Sequence, residues 1–149
     1  MPGHVIGVDI GTQSTKAVLV RADGRIVAQH AQGYSVETPK PLWAQQWPQV
    51  WLDAVLACVR GVMDASGLDA ASVQAMCVSS LYGGSGVPVD GEGTPLYPCL
   101  IWMDRRADED LAGLRRAPGN EFFRSRTGAN LDGSHMAPKA RWLLGQGKR

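Results

Sequence analysis

The apolar positions in the first 33 residues are arranged in a way that predicts three β-strands. The first strand lies between Val5 and Ile10, and the second runs from Ala17 to Val20. Asp23-Gly24 is a turn sequence that leads into a third strand, Arg25 to Gln29. Because both connections are short, we expect the three strands to pair antiparallel.

Apolar residues then recur at helical spacing, which predicts one long helix between Pro48 and Gly67. Pro48 suits the first helical position, and Gly67 suits the C-terminal cap. Trp47 stands at the N-cap position and cannot accept a backbone N–H bond, so we expect a cap that is weaker or supplied from elsewhere. We interpret Trp43, Trp47 and Trp51 as packing residues.

The middle of the chain combines loops with further extended segments. Residues 34–46 have few periodic apolar positions and predict an ordered loop. Val73–Ser79 is apolar enough to form a central strand, and a glycine-rich loop follows over residues 81–86. Residues 87–90 predict a short strand, and residues 95–102 an extended stretch. Three antiparallel strands, a helix and a further strand are the order of an α/β layer of the ribonuclease H-like type.

The C-terminal part of the sequence predicts three helices. The first begins at Asp104 or Asp108 and ends at Arg116, and Asn120 caps a short second helix that ends at Arg126. The last helix spans Met136–Leu144. Its inward positions are expected to be Ala140, Leu143 and Leu144.

The polar turn between the first two strands carries the strongest chemical signal. It combines a glycine, hydroxyl groups, successive amides and a cation in the residues Gly11, Thr12, Gln13, Ser14, Thr15 and Lys16. A concave run of amides binds anions, and Gly11 lets the backbone approach a phosphate closely. Asp9, at the end of the preceding strand, can hold a hydrated Mg²⁺ beside that phosphate. An ordinary hairpin with solvated Asp9 and Lys16 side chains is the alternative.

The segment Ile6–Lys16 resembles the first phosphate motif of the actin/Hsp70/sugar-kinase superfamily. Three later segments narrow the resemblance: Trp43–Pro48, Gly86–Asp90 and Ile101–Ala107. In this order they resemble the FGGY carbohydrate kinases, from about Val5 to Leu144. The resemblance implies an α/β, ribonuclease H-like domain and phosphorylation of a sugar or polyol hydroxyl, with ATP and Mg²⁺ as cofactors.

The same resemblance implies which residues meet each substrate. Gly11 to Lys16 would bind the nucleotide phosphates, and Asp9 the metal ion. The sugar pocket would include Tyr82, Gly83, Gly84, Trp102 and Asp104. Trp102 can pack its ring against sugar C–H groups, while Asp104 can accept hydroxyl hydrogen bonds. The alternative is that Trp102 belongs to the core and that Asp104 caps the next helix or pairs with Arg105.

The chain departs from the family pattern in two ways. One concerns the sugar or polyol that accepts the phosphoryl group, and the other concerns the catalytic base. Gly83-Gly84 stand where glycerol kinases carry Arg-Glu and xylulokinases carry Met-His. Two glycines favour a bulkier polyol or ketose, or one held mainly by backbone groups. The family's catalytic base is an Asp well downstream, and Asp132 lies in no matching motif, so no catalytic residue is assigned.

Composition and length exclude several other classes. The chain has 149 residues, 44% of them hydrophobic, and a formal net charge of +1, without a basic block that would indicate nucleic acid or a membrane surface. Its three cysteines lie in apolar stretches with no C-x-x-C pair, which is typical of reduced core thiols in a cytoplasmic protein. Since the family's enzymes have two domains, we expect residues 1–149 to be an incomplete first domain, with its remainder and the second domain absent.

Two other functions stay open at this stage. An actin-like or Hsp70-like ATPase would share only the first motif. A truncated product without catalysis would bind phosphate or sugar weakly. We expect the isolated chain to lack kinase activity and to self-associate through exposed apolar surface. A homodimer of the full-length protein is a further open alternative.

Overall fold

The structure, a computed structural model, describes residues 3–80, 85–116 and 119–146. The chain divides into two compact units. Unit 1 comprises Met1–Val36 and Trp47–Leu81, and unit 2 comprises Glu37–Gln46 and Tyr82–Arg149.

Unit 1 is a four-stranded sheet with one long helix. The strands are β1 (His4–Ile10), β2 (Ser14–Arg21), β3 (Ile26–Gly33) and β5 (Val73–Ser80), in the order β3-β2-β1-β5. The first three strands pair antiparallel, as predicted, and β5 runs parallel to β1. This strand order is that of the predicted ribonuclease H-like layer.

Helix α1 (Pro48–Ser66) covers one face of β1, β2 and β3. Its apolar stripe and that face of the sheet form a core of Ile6, Val8, Ala17, Leu19, Ala28, Cys58 and Val62. Gly67 ends the helix in the left-handed conformation at φ 63° and donates its N–H to the Met63 carbonyl. Trp47 makes no capping bond with its side chain, as predicted.

The exposure of several unit 1 residues differs from the prediction. Among the described strands β5 is an outer strand instead of a central one, and Met76 and Val78 are 53% and 44% exposed. Cys77 is exposed as well, so it is not a core thiol. Trp47 is 41% exposed, so it packs only in part. Met76, Cys77 and Val78 are accessible because α1 packs mainly over the first three strands.

Unit 2 contains little sheet and several short helices. Strands β4 (Gln45–Gln46) and β6 (Cys99–Leu100) pair antiparallel. A 3₁₀ turn, Arg106–Asp108, precedes the helices α2 (Leu111–Arg116), α3 (Asn120–Thr127) and α4 (Met136–Gln146). The core of this unit is formed by Leu100, Ala107 and Trp142, with Trp43, Tyr97 and Leu143 packed against them.

The structure also corrects several expectations for unit 2. Helix α2 begins at Leu111, after the 3₁₀ turn, and α3 has Gly119 instead of Asn120 at its N-cap. Leu144 is 75% exposed, and the inward residues of α4 include Lys139 and Trp142. The strand predicted over residues 87–90 is reduced to one bridge between Val89 and Pro95. No helix in the described ranges is long and apolar enough to cross a membrane.

Candidate functional site

The polar turn of unit 1 is a tight hairpin between β1 and β2. The Gly11 N–H donates to the Ser14 carbonyl at 2.9 Å, which closes the turn. A side chain at position 11 would place its Cβ 3.1 Å from that carbonyl oxygen, so the turn has little room for any residue except glycine. Asp9 and Lys16 are register partners across the two strands, and both are exposed. The hairpin therefore presents a carboxylate and a cation at its base.

Tyr34, just beyond β3, holds this hairpin from one side. Its hydroxyl donates to the Gly11 carbonyl at 2.6 Å and lies 3.2 Å from the Thr15 hydroxyl. The Tyr34 N–H donates to the Gln13 carbonyl at 3.0 Å. Partial burial raises the pKa of the Tyr34 phenol, so it stays protonated and able to donate. Tyr34 lies in the segment predicted as a loop, where no local pattern predicts this role.

The predicted phosphate-binding residues differ in accessibility. Gln13 and Lys16 are exposed, Gly11, Thr12 and Ser14 are half-buried, and Thr15 is fully buried. The Thr15 hydroxyl faces Tyr34, which favours a supporting role for it within the hairpin. The accessible atoms are therefore concentrated at the tip of the turn and at Lys16.

Asp9 fits a magnesium ion that keeps most of its water. The described residues contain no group of three or more His, Cys, Asp or Glu side chains that could enclose a metal. Mg²⁺ in phosphate-transfer sites is commonly held by one or two carboxylates, with water and phosphate oxygens completing its shell. One exposed carboxylate at the end of β1 is suited to that arrangement.

In unit 2, Asp104 is fully buried in an ion pair with Arg106. Its oxygens accept bonds from the Ala44 N–H at 2.7 Å, the Arg106 N–H at 3.0 Å and the Arg106 Nε at 2.9 Å, and Arg106 Nη2 lies 2.8 Å away. This geometry favours the structural alternative for Asp104, with Arg106 instead of Arg105 as its partner. Arg105 pairs with Asp132.

Arg106 is the centre of a buried polar and aromatic cluster. Its guanidinium lies 3.8 Å from the centroid of the Trp43 ring and 5.1 Å from that of Trp142. It also donates to the Gln45 side-chain oxygen at 2.9 Å and to the Tyr97 hydroxyl at 3.3 Å. Arginine provides five donors in a planar fork, so it can satisfy a carboxylate and two further acceptors at once. The cluster fixes the segment that follows β6.

Trp102 lies on that segment and, unlike Asp104, is accessible. It occupies a β-turn closed by the Asp104 N–H, which donates to the Ile101 carbonyl at 2.9 Å. The Trp102 side chain is 47% exposed, so its position suits contact with a ligand. Tyr82, Gly83 and Gly84, the other predicted sugar-binding residues, lie outside the described ranges.

The strand order and the hairpin place this chain among α/β proteins of the ribonuclease H-like type. More particularly, the chain belongs to the FGGY family of carbohydrate kinases, because the model of that family's N-terminal domain matches residues 4–148. This confirms the resemblance and the fold class inferred from the sequence.

Individual relatives agree with this assignment. The chain is 30% identical over 145 residues to the glycerol kinase of Ectopseudomonas mendocina, a match that covers 97% of this chain and 29% of that protein. The solved xylulose kinase of Rhodospirillum rubrum has a TM-score of 0.84 and 30% identity, over 94% of this chain and 28% of that one. Gluconate kinase from Lactobacillus acidophilus, at 23% identity and a TM-score of 0.88 over 100% of this chain and 30% of that one, supports the fold. This chain thus spans less than a third of the length of these relatives.

Proposed function

We propose that this chain is the N-terminal part of an ATP-dependent kinase that phosphorylates a hydroxyl group of a sugar or polyol. The match to the FGGY N-terminal domain across residues 4–148 carries the proposal. The relatives named above as glycerol and xylulose kinases support the same class of acceptor.

The hairpin of unit 1 would serve the nucleotide. Phosphoryl transfer depends mainly on holding the phosphates and offsetting their charge. The half-buried and exposed residues from Gly11 to Ser14 would bind phosphate oxygens, and Lys16 would add a positive charge beside them. Asp9 would hold Mg²⁺, which, when bound, neutralises part of the negative charge of the phosphates.

The turn in unit 2 would serve the acceptor. An exposed indole can pack on the C–H face of a sugar, and Trp102 has the accessibility that this contact needs. Asp104 would act indirectly, since its oxygens are occupied by Ala44 and Arg106. The predicted contacts of Tyr82, Gly83 and Gly84 are part of the proposal, with the two glycines favouring a bulkier polyol or ketose.

None of the described carboxylates is proposed as the catalytic base. Asp132 accepts bonds from Ser134 and pairs with Arg105, and the Ser134 bonds lower the pKa of its carboxyl. A carboxylate engaged in this way is poorly suited to take a proton from an alcohol. We therefore expect the 149-residue chain alone to give no kinase activity.

The test uses the product of the whole reading frame that encodes this chain. It is given MgATP with a panel of glycerol, pentitols, hexitols, pentuloses and gluconate, and ADP release is measured. We expect at least one acceptor to stimulate ADP release, and Asp9→Asn to reduce kcat by about a hundredfold. Asp64→Asn, an exposed carboxylate on α1, is the matched control and should leave kcat unchanged. ATP hydrolysis that no acceptor stimulates would instead favour an ATPase, and no ADP at all would refute the proposal.

A further inference from the structure

Lys139, on α4, is a buried lysine that the proposed chemistry does not use. Its side chain is 1% exposed, and its Nζ donates to the Leu100 carbonyl at 3.1 Å and to the Ile101 carbonyl at 2.7 Å. These two carbonyls belong to the end of β6 and to the residue directly after it. Lys139 therefore ties α4 to the chain immediately before Trp102.

The Ile101 carbonyl accepts a second hydrogen bond, and this bond links Lys139 to the turn that contains Trp102. The Asp104 N–H donates to the same oxygen at 2.9 Å, so Ile101 and Asp104 are the first and last residues of a β-turn. Trp102 and Met103 occupy its two central positions and are 47% and 41% exposed. One buried ammonium thus fixes the start of a turn whose corner is accessible.

The last residue of the turn, Asp104, is also held by hydrogen bonds. Asp104 is fully buried and is bonded to the Ala44 N–H and to Arg106. A buried charge on each side of a two-residue corner leaves the backbone of Trp102 and Met103 little freedom. The two residues at the corner are partly exposed, whereas Lys139 and Asp104, which hold its ends, are buried.

A lysine at this position has both a cost and a benefit. Removing an ammonium from water is costly, whereas an apolar side chain of similar length would avoid that cost but leave two carbonyl oxygens without this donor. What only a donor can add is a fixed position for the two carbonyl oxygens. The benefit of the lysine is therefore expected in the geometry of the turn.

We propose that Lys139 is a positioning residue for acceptor recognition: it holds the Ile101–Asp104 turn so that the indole of Trp102 is presented in one orientation to the sugar or polyol. This inference rests on the proposed function, because the orientation of Trp102 matters only if an acceptor packs against it. Lys139 acts through the turn and makes no contact with the acceptor.

The first test measures the turn itself and needs no substrate. Amide hydrogen exchange of Asp104 is compared in the 149-residue chain and in Lys139→Met, with Arg141→Met, an exposed residue of the same helix, as the matched control. We expect the Asp104 amide to exchange about tenfold faster in Lys139→Met and at the original rate in Arg141→Met. An unchanged rate in Lys139→Met would overturn the proposal, whatever the protein phosphorylates.

The second test is a kinetic cycle in the product of the whole reading frame, with the acceptor found in the panel. We expect Trp102→Ala and Lys139→Met each to raise the KM for the acceptor about tenfold, with the KM for ATP unchanged. In the Trp102→Ala background, Lys139→Met should cause no further rise, because the residue acts only through the indole. Lys139→Arg should restore part of the loss, since it keeps the donors.

The outcomes separate the two proposals. Additive effects in the cycle, or a KM for ATP that rises with the KM for the acceptor, would show a general structural role and overturn the positioning role. If Lys139→Met does not fold, Trp102→Ala alone decides: an unchanged KM for the acceptor refutes the role of the turn. If no acceptor is phosphorylated, the proposed function fails, while the exchange measurement still reports whether Lys139 holds the turn.

Discussion

The hydroxyl of Tyr34 donates a 2.6 Å hydrogen bond to the carbonyl of Gly11, 23 residues earlier in the chain. The bond joins the segment after β3 to the tip of the β1–β2 hairpin. The same hydroxyl is also hydrogen-bonded to the buried Thr15 side chain, so Tyr34 stabilises the hairpin through two contacts.

Replacing Tyr34 with Phe should therefore weaken the hairpin without removing the ring. We expect Tyr34→Phe to lower the free energy of unfolding by about 1 kcal/mol, the usual net value of a partly buried hydrogen bond. Urea denaturation of the 149-residue chain measures this change. In the kinase assay, the KM for ATP should rise while the KM for the acceptor stays constant. Equal stability of Tyr34→Phe and the unmodified chain would show that the hydroxyl does not hold the turn.

Because Asp104 and Arg106 form a buried ion pair, we expect the free energy of unfolding to depend strongly on both residues. Asp104→Asn or Arg106→Met should each cost about 3–5 kcal/mol, because the remaining charge is left buried without its partner. The double variant should cost less than the sum of the two single changes. These values come from urea denaturation in a double-mutant cycle.

An exposed ion pair in the same chain provides the control for this cycle. Arg21 and Asp23 pair at the tip of a hairpin, where solvent surrounds both side chains. We expect Asp23→Asn to leave stability nearly unchanged, since water screens such pairs. Strict additivity at Asp104 and Arg106 would contradict the interpretation of a coupled buried pair.

The sequence predicted the parts of the fold that depend on neighbouring residues. The three antiparallel strands, helix α1 and its Gly67 cap follow from apolar spacing and local turn residues, and all are present. The edge position of β5 could not be predicted in this way. Apolar composition reports that a strand is suited to burial, whereas its neighbours are determined by the assembled sheet.

The same distinction applies to the candidate site. The hairpin from Asp9 to Lys16 is continuous in sequence, so its residue types alone suggested a phosphate site. The bonds from Asp104 to Ala44 and from Lys139 to Leu100 join residues 60 and 39 positions apart. Lysine and aspartate are common on surfaces, and only the folded structure shows that these two are buried.

Helix α1 offers a change that should increase stability. Its N-cap residue, Trp47, has an extended backbone (φ −75°, ψ 135°) and makes no capping bond with its side chain. Asp in this position can accept a backbone N–H and complement the helix dipole, so Trp47→Asp should stabilise the chain by about 1 kcal/mol relative to Trp47→Ala. Trp47→Ala is the reference because it removes the same indole without adding a cap. Thermal unfolding of the two variants provides the comparison, and equal melting temperatures would refute the prediction.

Lys139 predicts a characteristic pH dependence of stability. Burial away from water lowers the pKa of its ammonium from 10.5 to about 8, although the nearby Asp104 and Cys99 act in the opposite direction. Between pH 8 and pH 10.5 the unfolded chain therefore binds a proton that the folded chain has released. Stability from this group rises with pH across that window and is lost as the pH falls through about 8.

The measurement compares the 149-residue chain with Lys139→Met by urea denaturation from pH 7 to pH 10.5. We expect the difference in free energy of unfolding to shift by roughly 3 kcal/mol in favour of the unmodified chain at the alkaline end. Tyr34 and Cys58 titrate in both proteins and cancel in the difference. Cys99 does not cancel, because burial raises its pKa and the Lys139 charge lowers it, so both proteins carry Cys99→Ser. A difference that stays flat with pH would show that Lys139 titrates normally.

The hydrogen bonds of Lys139 also imply an order of events during synthesis of the chain. A ribosome adds Leu100 and Ile101 well before Lys139, which follows Leu100 by 39 positions. Until α4 has left the exit tunnel, neither carbonyl can have its ammonium partner, and the Ile101–Asp104 turn lacks one of its two anchors. On the proposed role of Lys139, the orientation of Trp102 would be completed late in co-translational folding, once α4 has docked.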